Sequence, residues 1–384
     1  MLPCQRAAFD IPADIAYLNG AAFSPIPTSV RLAGEAGIGL KVAPWRIHWP
    51  PNVALVEEAR ALVASLVNAT ADDIAIGGAA SHGVATACAN LSAKPGERVL
   101  VLEAEHASLA LGMARFAAEH GAVLETIDRP ADRDYTATVL AAIERPGAAR
   151  VAVAGLSPSH WSDGTAIDMQ PVATALRRQG SALILDATQA AGVTALDVQA
   201  LDPDFMLMPS YKWLLGPYGL AFLYVAAHHH AGRPLEEHGS NRIAYDSALA
   251  APAASFAMLP GARRFDRGER DVFITLPMAH AGLKLVTGWG QEAIAARLRM
   301  LTDRLAERLE AAGLTVAPRR LRVPHILGLA LPPEQRDGLV AAAEADNIFV
   351  TIRQGMLRIS PGVYNDEADI DRFANWLERW LARR

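Results

Sequence analysis

Cysteine is scarce in this sequence: Cys4 and Cys88 are the two cysteines among 384 residues, which excludes a disulfide framework. Long apolar runs are also missing, and none approaches the roughly 18 residues that a membrane-spanning helix needs. The first six residues lack the charged and apolar regions of a secretory signal. We therefore expect a cytoplasmic protein with no membrane partner.

Positive charge is not in excess either. The formal net charge is −5, with no basic stripe and no run of like charges, so nucleic acid is excluded as an expected partner. Hydrophobic residues make up 51% of the chain, enough for a substantial core, and the length favours two domains or one domain with a smaller appendage.

Lysine is rare among the basic residues, with four lysines in a total of 36 Lys and Arg. One of them, Lys212, lies between two apolar runs in the segment Pro209-Ser210-Tyr211-Lys212-Trp213-Leu214-Leu215-Gly216-Pro217. The pKa of arginine is too high for an amine nucleophile, whereas burial can lower the pKa of a lysine. Lys212 is therefore the first candidate for a catalytic amine.

From about residue 52, helical patterns alternate with short apolar runs. An apolar period of 3.6 residues predicts helices at 53–68, 107–120 and 168–180. The apolar runs predict strands at 74–76, 98–102, 123–127, 150–154, 182–185, 204–208 and 219–225. This alternation predicts an α/β fold with a mostly parallel sheet sandwiched by helices, which binds ligands at the carboxyl ends of its strands.

After about residue 270 the pattern changes. A long helical stretch at 277–313 precedes short strands at 326–330, 348–352 and 356–360 and a last helix at 366–382. We predict a large domain over 15–270 and a smaller α+β domain over 271–384, which the N-terminal segment 1–14 would join.

An acid and an amine follow two of the buried strands. Asp186 ends the run at 182–185, and Lys212 follows the run at 204–208. Pyridoxal phosphate needs this pair, because a lysine forms a Schiff base with its aldehyde and an acid keeps its ring nitrogen protonated. Gln189 would then donate to the phenolic oxygen of the ring and Tyr211 to the phosphate. The alternatives are a helix-capping Asp186 and a surface Lys212.

Further candidates follow other strands. Ser81, in Gly77-Gly78-Ala79-Ala80-Ser81-His82-Gly83, opens a helix whose N-terminus favours an anion, or is part of an ordinary turn. His106 would lie on the cofactor ring or cap a helix, and either His160 or Trp161 would face the cofactor unless Trp161 packs under the sheet. Arg358 would grip a substrate carboxylate or point outward from its strand.

Other conspicuous residues have plainer explanations. His228-His229-His230 resemble a metal-binding run but fall in a polar loop, so we predict a solvated surface and no metal site. Cys88 lies on a helix and is expected to be a small core residue.

Together these motifs resemble the class V aminotransferase family of fold type I pyridoxal phosphate enzymes, which includes cysteine desulfurases, kynureninase and isopenicillin N epimerase-like proteins. The resemblance runs from Tyr17-Leu18-Asn19-Gly20-Ala21-Ala22 to Arg358-Ile359-Ser360-Pro361, nearly the whole chain. It implies a homodimer with active sites at the subunit interface, in which the segment 264–270 reaches the neighbour's phosphate.

The resemblance also implies residue roles. Lys212 would carry the cofactor and move protons, Asp186 would pair with the ring nitrogen, and Gln189 with the phenolic oxygen. His106 would stack on the ring, with Trp161 near it. The phosphate would be held by Ala80, Ser81 and Tyr211, and the substrate by Arg358, Asn19, Ala21 and His160.

Some positions depart from the family pattern. Ala80 stands where many members have threonine, and Tyr211 stands where desulfurases have histidine but kynureninase-like proteins have tyrosine. The segment Ile348 to Arg358 contains no cysteine. Desulfurases carry their sulfur acceptor in the loop before the arginine, so we expect that this chain is not a cysteine desulfurase.

The expected function is an aminotransferase-like reaction on an amino acid or related amine. The alternatives within the fold are an amino-acid epimerase or racemase and a carbon–sulfur or carbon–carbon lyase. From other classes, a non-catalytic pyridoxal phosphate-binding protein stays open. A nicotinamide dehydrogenase is disfavoured, because no G-x-G-x-x-G follows the first strand.

Overall fold

A computed structural model describes residues 2–47, 53–245 and 256–383. Within these ranges a seven-stranded sheet forms the centre of the larger part of the chain. Its strands are β2 (Ile74–Gly77), β3 (Arg98–Leu102), β4 (Val123–Ile127), β5 (Val151–Leu156), β6 (Ala182–Asp186), β7 (Phe205–Pro209) and β8 (Ala221–Val225). All seven correspond to predicted strands, because each is a short apolar run bounded by turn residues.

The order of the strands across this sheet is β2-β8-β7-β6-β5-β3-β4. Strand β8 is antiparallel to both of its neighbours, and the other pairings are parallel. The carboxyl ends of the six strands that run alike therefore meet at one edge of the sheet, which is where the loops that follow β2, β3, β5, β6 and β7 converge. The predicted mostly parallel sheet is confirmed.

Helices cover both faces of this sheet, and two buried apolar clusters lie between the layers. The helices of the larger part are α1 (Thr28–Val42), α2 (Val53–Leu66), α3 (Ala80–Cys88), α4 (Ala107–His120), α5 (Tyr135–Ile143), α6 (Met169–Arg178) and α7 (Val198–Leu201). Helices α1, α5 and α7 were not predicted.

The predicted long helix at 277–313 is divided into α8 (Thr275–Trp289) and α9 (Gln291–Ala311). Gly290, between them, has a φ of 80°, a conformation that other residues rarely adopt. Helix α8 packs against α1 and α2 of the larger part, and α9 packs against the last helix, α12 (Glu367–Leu381).

The elements of the C-terminal part are β9 (Leu327–Ala330), α10 (Pro333–Arg336), α11 (Leu339–Ala345), β10 (Ile348–Phe349), β11 (Thr351–Arg353) and β12 (Met356–Ile359). Three of these strands form a sheet in the order β11-β12-β9. The smaller α+β unit that the sequence predicts is present, and it completes the confirmed fold class.

The N-terminal segment packs on this C-terminal part. Gln5 N donates to the Val363 carbonyl, and the short strand β1 (Ala16–Tyr17) pairs in parallel with β10. Residues 16 and 17 thus pair with the small unit, although the predicted large domain begins at residue 15. In the part of the chain that the structure describes, no helix has the length and apolarity needed to cross a membrane.

Candidate active site

Lys212 lies in the tight loop between β7 and β8, at the carboxyl edge of the sheet. Ser210 Oγ lies 2.6 Å from the Pro217 carbonyl oxygen and 2.8 Å from that of Leu220, and its one O–H, donated to either, closes the loop on itself. Helix α8 passes directly over it: a Cβ on Gly282 would lie 2.6 Å from the Leu214 carbonyl oxygen. The loop is therefore stabilised by its own hydrogen bonding and by packing against α8.

The Lys212 side chain is buried, with 8% of the residue exposed. The pKa of its amine is lowered to about 8, mainly by burial and also by the nearby charge of Arg358, while Asp186 acts in the opposite sense. Within the described ranges no carboxylate lies within 4 Å of Nζ. A buried amine with a depressed pKa and no ion pair is suited to nucleophilic or base chemistry.

Asp186 is the last residue of β6 and is buried. Its Oδ1 accepts a hydrogen bond from the backbone N–H of Thr188 at 2.9 Å. That contact closes a turn and does not cap a helix, since the next helix, α7, begins at Val198, and it occupies one oxygen only. No hydrogen bond reaches Oδ2 from the described residues, so this oxygen is available for a ring N–H.

His106 is close enough to Asp186 and Lys212 for both charges to influence it. Burial lowers the pKa of its imidazole, Asp186 raises it and Lys212 lowers it. The ring meets the edge of Trp161 at a centroid distance of 5.9 Å. His106 also caps α4, because Nδ1 accepts from the Ser108 N–H at 3.5 Å. One side chain can therefore both cap this helix and lie beside Asp186 and Lys212.

His160, for which the sequence predicted a role in substrate binding, has both ring nitrogens in contact with other residues of the protein. Its side chain is fully buried and stacks on Tyr135 at 5.5 Å, with Nδ1 2.8 Å from Ser162 Oγ and Nε2 3.0 Å from the Glu103 carbonyl. Both ring nitrogens are thus used in packing the loop. Trp161, the alternative at this place, contacts His106 instead.

The predicted anion site is at the first turn of α3, which contains Ala80 and Ser81. The segment 264–270 packs beside it in the same chain. Arg267 N donates to the Ile76 carbonyl, and a Cβ on Gly78 would lie 3.3 Å from Arg267 Nη1. The sequence prediction assigned this segment, which includes Arg267, to the phosphate of a neighbouring subunit; within one chain, Arg267 is a cation beside its own anion loop.

Buried salt bridges hold this segment in place. Asp266 is fully buried and pairs with Arg60, whose Nη1 lies 2.9 Å from Oδ1; the same oxygen accepts from Ile76 N, also at 2.9 Å. Arg270 Nε lies 3.1 Å from the other carboxylate oxygen. The position of Arg267 is therefore fixed by its neighbours on both sides.

Arg358 comes from β12 of the C-terminal part and points toward the larger part. It is 1% exposed, and Nη1 donates to the Trp161 carbonyl at 2.6 Å. The pKa of its guanidinium is lowered to about 10, mainly by burial and also by Arg353, against an opposing effect of Tyr17. Its Nε has no partner in the described chain, so the inward orientation leaves donors for an anion.

Asn19 and Ala21 contact Ser360, two residues after this arginine. Ala21 N donates to Ser360 Oγ at 3.0 Å, and Asn19 pairs with Ser360 through an isolated β-bridge. The Asn19 Oδ1 is buried and has no partner among the described residues. A buried acceptor of this kind is costly unless a ligand satisfies it.

Gln189 and Tyr211 have contacts that the sequence did not suggest. Gln189 Nε2 donates to the Ala21 carbonyl at 3.0 Å, and its Oε1 accepts from Trp213 Nε1 at 2.8 Å. One N–H of the amide is thus used in joining Ala21 to the Lys212 loop. Tyr211 stacks on Tyr218 at 4.0 Å, and its pKa is raised to about 12 by burial.

The His228–His230 run is at the other end of the sheet. His228 is exposed, as predicted, but His229 packs on Phe205 at 4.8 Å. Asp204 Oδ1 lies 3.0 Å from Nε2 of His228 and 2.7 Å from that of His229. Hydrogen bonds to one carboxylate account for the grouping of these three residues.

Cys88 is partly buried beside the core, and burial raises the pKa of its thiol to about 11.

The family model described as aminotransferase class-V matches residues 51–373. The chain belongs to the class-V aminotransferase family. This family contains pyridoxal phosphate enzymes, and pyridoxal phosphate is the cofactor.

Two curated relatives and one solved structure are similar over most of their lengths. The kynureninase of Deinococcus radiodurans is 28% identical over 320 residues, which cover 80% of this chain and 74% of the relative. The isopenicillin N epimerase of Streptomyces clavuligerus is 27% identical over 384 residues, covering 95% and 94%. The apo structure of a cysteine desulfurase from Thermococcus onnurineus NA1 superposes with a TM-score of 0.84 at 19% identity, covering 99% and 98%.

These comparisons do not support the expectation that excluded cysteine desulfurases. Proteins with that activity share the fold over nearly the whole chain and are found among the curated relatives at 25% identity. The missing loop cysteine is a fact of this sequence, but the comparisons leave the exclusion unsupported.

The residues present fit the cofactor. Around the carboxyl edge of the sheet lie an unpaired buried amine (Lys212), a free carboxylate oxygen (Asp186), an imidazole (His106), and a helix N-terminus with a cation beside it (Arg267). Each is the type of group that one part of pyridoxal phosphate requires.

Proposed function

We propose that this chain is a pyridoxal phosphate enzyme that acts on an amino acid or related amine through Lys212, most simply as an aminotransferase. The observation that carries the proposal is the buried Lys212 amine at the carboxyl edge of the sheet, whose pKa is lowered to about 8 by burial and by Arg358, against the opposing effect of Asp186. The bound cofactor supplies an aldehyde for the amine and a ring that accepts electrons from the substrate's Cα.

The residues of the chain have distinct tasks in this proposal. Lys212 anchors the cofactor and then, as a free amine, accepts the proton from Cα and returns it. Asp186 Oδ2 would accept the ring N–H, and His106, which contacts Trp161, would pack on the ring. The first turn of α3 would hold the phosphate, with Ser81 and Tyr211 as donors and Arg267 as counter-charge.

Substrate recognition is assigned to Arg358. A guanidinium that is held through Nη1 by the Trp161 carbonyl has other N–H groups left for a bidentate contact with the α-carboxylate. Because the arginine points toward the larger part, the outward orientation that would favour a non-catalytic binding protein does not occur. Asn19 and Ala21 line the same side.

A second group of reactions has support from the relatives. The similarity to an isopenicillin N epimerase over 95% of the chain and to a kynureninase over 80% favours epimerisation or a carbon–carbon or carbon–sulfur lyase. Each of these reactions shares with transamination either the removal of the Cα proton or the anchoring of the cofactor by Lys212. They differ in where the proton is returned or in which group leaves.

The cofactor link is tested by borohydride reduction of the purified protein followed by peptide mapping. We expect the label on the peptide that contains Lys212, and Lys212→Ala should lower turnover by about 10³-fold, the usual size of a lost acid–base group. Lys284→Ala, which removes an exposed lysine, is the matched control. Labelling elsewhere, or an active Lys212→Ala protein, would reject the proposal.

The reaction type is tested by offering amino acids in deuterated solvent. Transamination gives a keto acid that depends on an amino acceptor, whereas epimerisation gives Cα exchange without keto acid. A lyase gives a fragment of the side chain, and desulfuration gives persulfide sulfur from cysteine. Acceptor-dependent keto acid is the expected result, and any of the other products would replace the aminotransferase assignment.

We also infer a homodimer whose interface adjoins the active site. The ring centroids of Phe23 and Tyr218 are 6.1 Å apart, and both side chains are largely exposed. Tyr218 also stacks on Tyr211, the residue before Lys212. Val42 and Trp45, at the end of α1 and just after it, are 75% and 79% exposed. Apolar side chains exposed in this number are typical of an interaction surface.

A further inference from the structure

The hairpin of β11 and β12 places a second arginine next to Arg358. Thr351 is paired with Arg358, and Arg353 with Met356. Residues that are directly opposite in an antiparallel pair point to the same side, so Arg353 and Arg358 are diagonal neighbours on one face, with Cβ atoms about 7–8 Å apart or less. Guanidinium groups on such long side chains can converge on one ligand.

This face of the hairpin is turned toward the larger part of the chain. Gly328 of β9 is paired with Arg358, and a Cβ on Gly328 would lie 2.5 Å from the Asp163 Cβ. Arg358 itself reaches the Trp161 carbonyl. The opposite face, with Ile352, Leu357 and Ile359, packs into the apolar core. Arg353 therefore lies on the side of the hairpin that faces the active site.

The turn of the hairpin fixes the position of Arg353. Gln354 and Gly355 have φ values of 48° and 77°, as a two-residue turn between antiparallel strands requires. Arg336 Nη1 donates to the Gly355 carbonyl at 2.7 Å. The arginine thus extends from a short, anchored strand and is only partly buried.

The positive charges of Arg353 and Arg358 are not balanced by the described residues. Within the described ranges neither Arg353 nor Arg358 has a carboxylate within 4 Å, although the chain forms many other ion pairs. The positive charge of Arg353 acts on both Arg358 and Lys212, lowering the pKa of each. A single α-carboxylate would neutralise one of the two arginines.

We propose that Arg353 and Arg358 form a two-carboxylate subsite, so that the preferred substrate is a dicarboxylic amino acid. The α-carboxylate binds Arg358, and the side-chain carboxylate, two or three carbons away, binds Arg353. This inference rests on the proposed function, because it extends the substrate site of the same enzyme.

The test measures binding of unreactive acids to the holoenzyme by the change in the cofactor spectrum and in tryptophan fluorescence. Succinate and glutarate are compared with butyrate, which has one carboxylate. We expect the better dicarboxylate to bind at least about tenfold more tightly than butyrate, since a charge-assisted contact contributes about that factor.

Variants assign the preference to a residue. Arg353→Gln should weaken dicarboxylate binding about tenfold while the Kd of butyrate changes by less than about twofold, and Arg353→Lys should restore part of the loss. Arg358→Gln should weaken both ligands. Arg320→Gln, which removes an exposed arginine of the C-terminal part, should change neither.

Two results would overturn the inference: equal affinities of the wild-type protein for dicarboxylate and butyrate, or an unchanged preference in a folded Arg353→Gln protein. Both leave the borohydride label on Lys212 intact. A missing label is instead a failure of the proposed function, so the two failures are distinguishable.

Discussion

Burial controls the proton equilibria of individual residues in this site. Lys212 loses hydration and gains two cationic neighbours, so its amine is deprotonated far more readily than that of an exposed lysine. Glu105 is the opposite case. It is buried next to Asp186, and burial together with that charge raises the pKa of its carboxyl to about 7. The sequence did not single out Glu105, because the dipeptide Glu105-His106 gives no sign that the carboxyl is buried.

The pH dependence of cofactor uptake tests the Lys212 environment. The unprotonated amine attacks the aldehyde, so the rate at which the apoprotein binds pyridoxal phosphate should rise with pH and level off above about 8. Arg358→Gln removes a positive neighbour and should move the midpoint to higher pH, while Arg320→Gln should not. A midpoint near the ordinary lysine value of 10.5 would contradict the burial of this amine.

Glu105 gives a stability prediction. Its folded-state pKa of about 7 exceeds the ordinary 4.5, so the folded state retains a proton that the unfolded state loses between these values. The unfolding free energy should therefore fall as pH rises from about 4.5 to 7, by at most about 3 kcal/mol. Glu105→Gln should remove this slope in chemical denaturation, whereas exposed Glu144→Gln should keep it; identical slopes in all three proteins would refute the prediction.

Among the elements, α8 controls the backbone around Lys212. Gly282 lets the helix approach the carbonyl oxygens of Leu214 and Leu215 to distances that leave no room for a methyl group. The loop between β7 and β8 is thereby enclosed without a covalent constraint. Because the contact joins residues that are about 70 positions apart, neither segment reveals it alone.

Glycine substitutions in α8 test this packing. Gly282→Ala should destabilise the protein by about 1–3 kcal/mol, as overpacked cores do, and should lower cofactor occupancy by displacing the loop. Gly288→Ala in the same helix meets no atom within 4 Å and should stabilise by roughly 0.5–1 kcal/mol. Thermal unfolding and the cofactor spectrum give both results, and equal effects at the two positions would contradict the proposed contact.

For the whole molecule, the active site depends on two parts of the chain meeting. Lys212, Asp186 and His106 come from the larger part, and Arg358 comes from a strand more than 140 residues later. The exposed aromatic residues Phe23 and Tyr218 continue this site to the surface. A second copy of the chain would cover them and enclose the entrance.

The homodimer is tested by light scattering after size exclusion. We expect twice the 40.9 kDa of one chain. Replacing both Val42 and Trp45 by aspartate should weaken the association by at least about tenfold, because desolvating charges at an interface is costly. Val123→Ser, at an exposed position of the outer strand β4, should leave the mass unchanged. A monomeric wild-type protein would contradict the inference.

Much of the fold was predictable from local pattern. The seven strands of the main sheet follow from short apolar runs between turn residues, and Asp186 and Lys212 stand out because charge is unusual at the ends of such runs. The orientation of His160 was not predictable, since its partner Tyr135 lies on a helix that the sequence pattern did not reveal. The contact of Arg267 with the loop at Gly78 of the same chain was not predictable for a similar reason, because it joins distant segments.

The sequence by itself determined the strand–helix alternation and the cofactor, and it predicted the amine proposed to carry it, because these depend on residue type and on periods of two or 3.6 residues. The tertiary structure decided which charges share the site. Arg353 and Arg358 become neighbours through strand pairing, and Arg358 meets Trp161 when the two parts of the chain pack together. Such contacts arise from the burial of surfaces distant in sequence, and that burial also sets the pKa of Lys212.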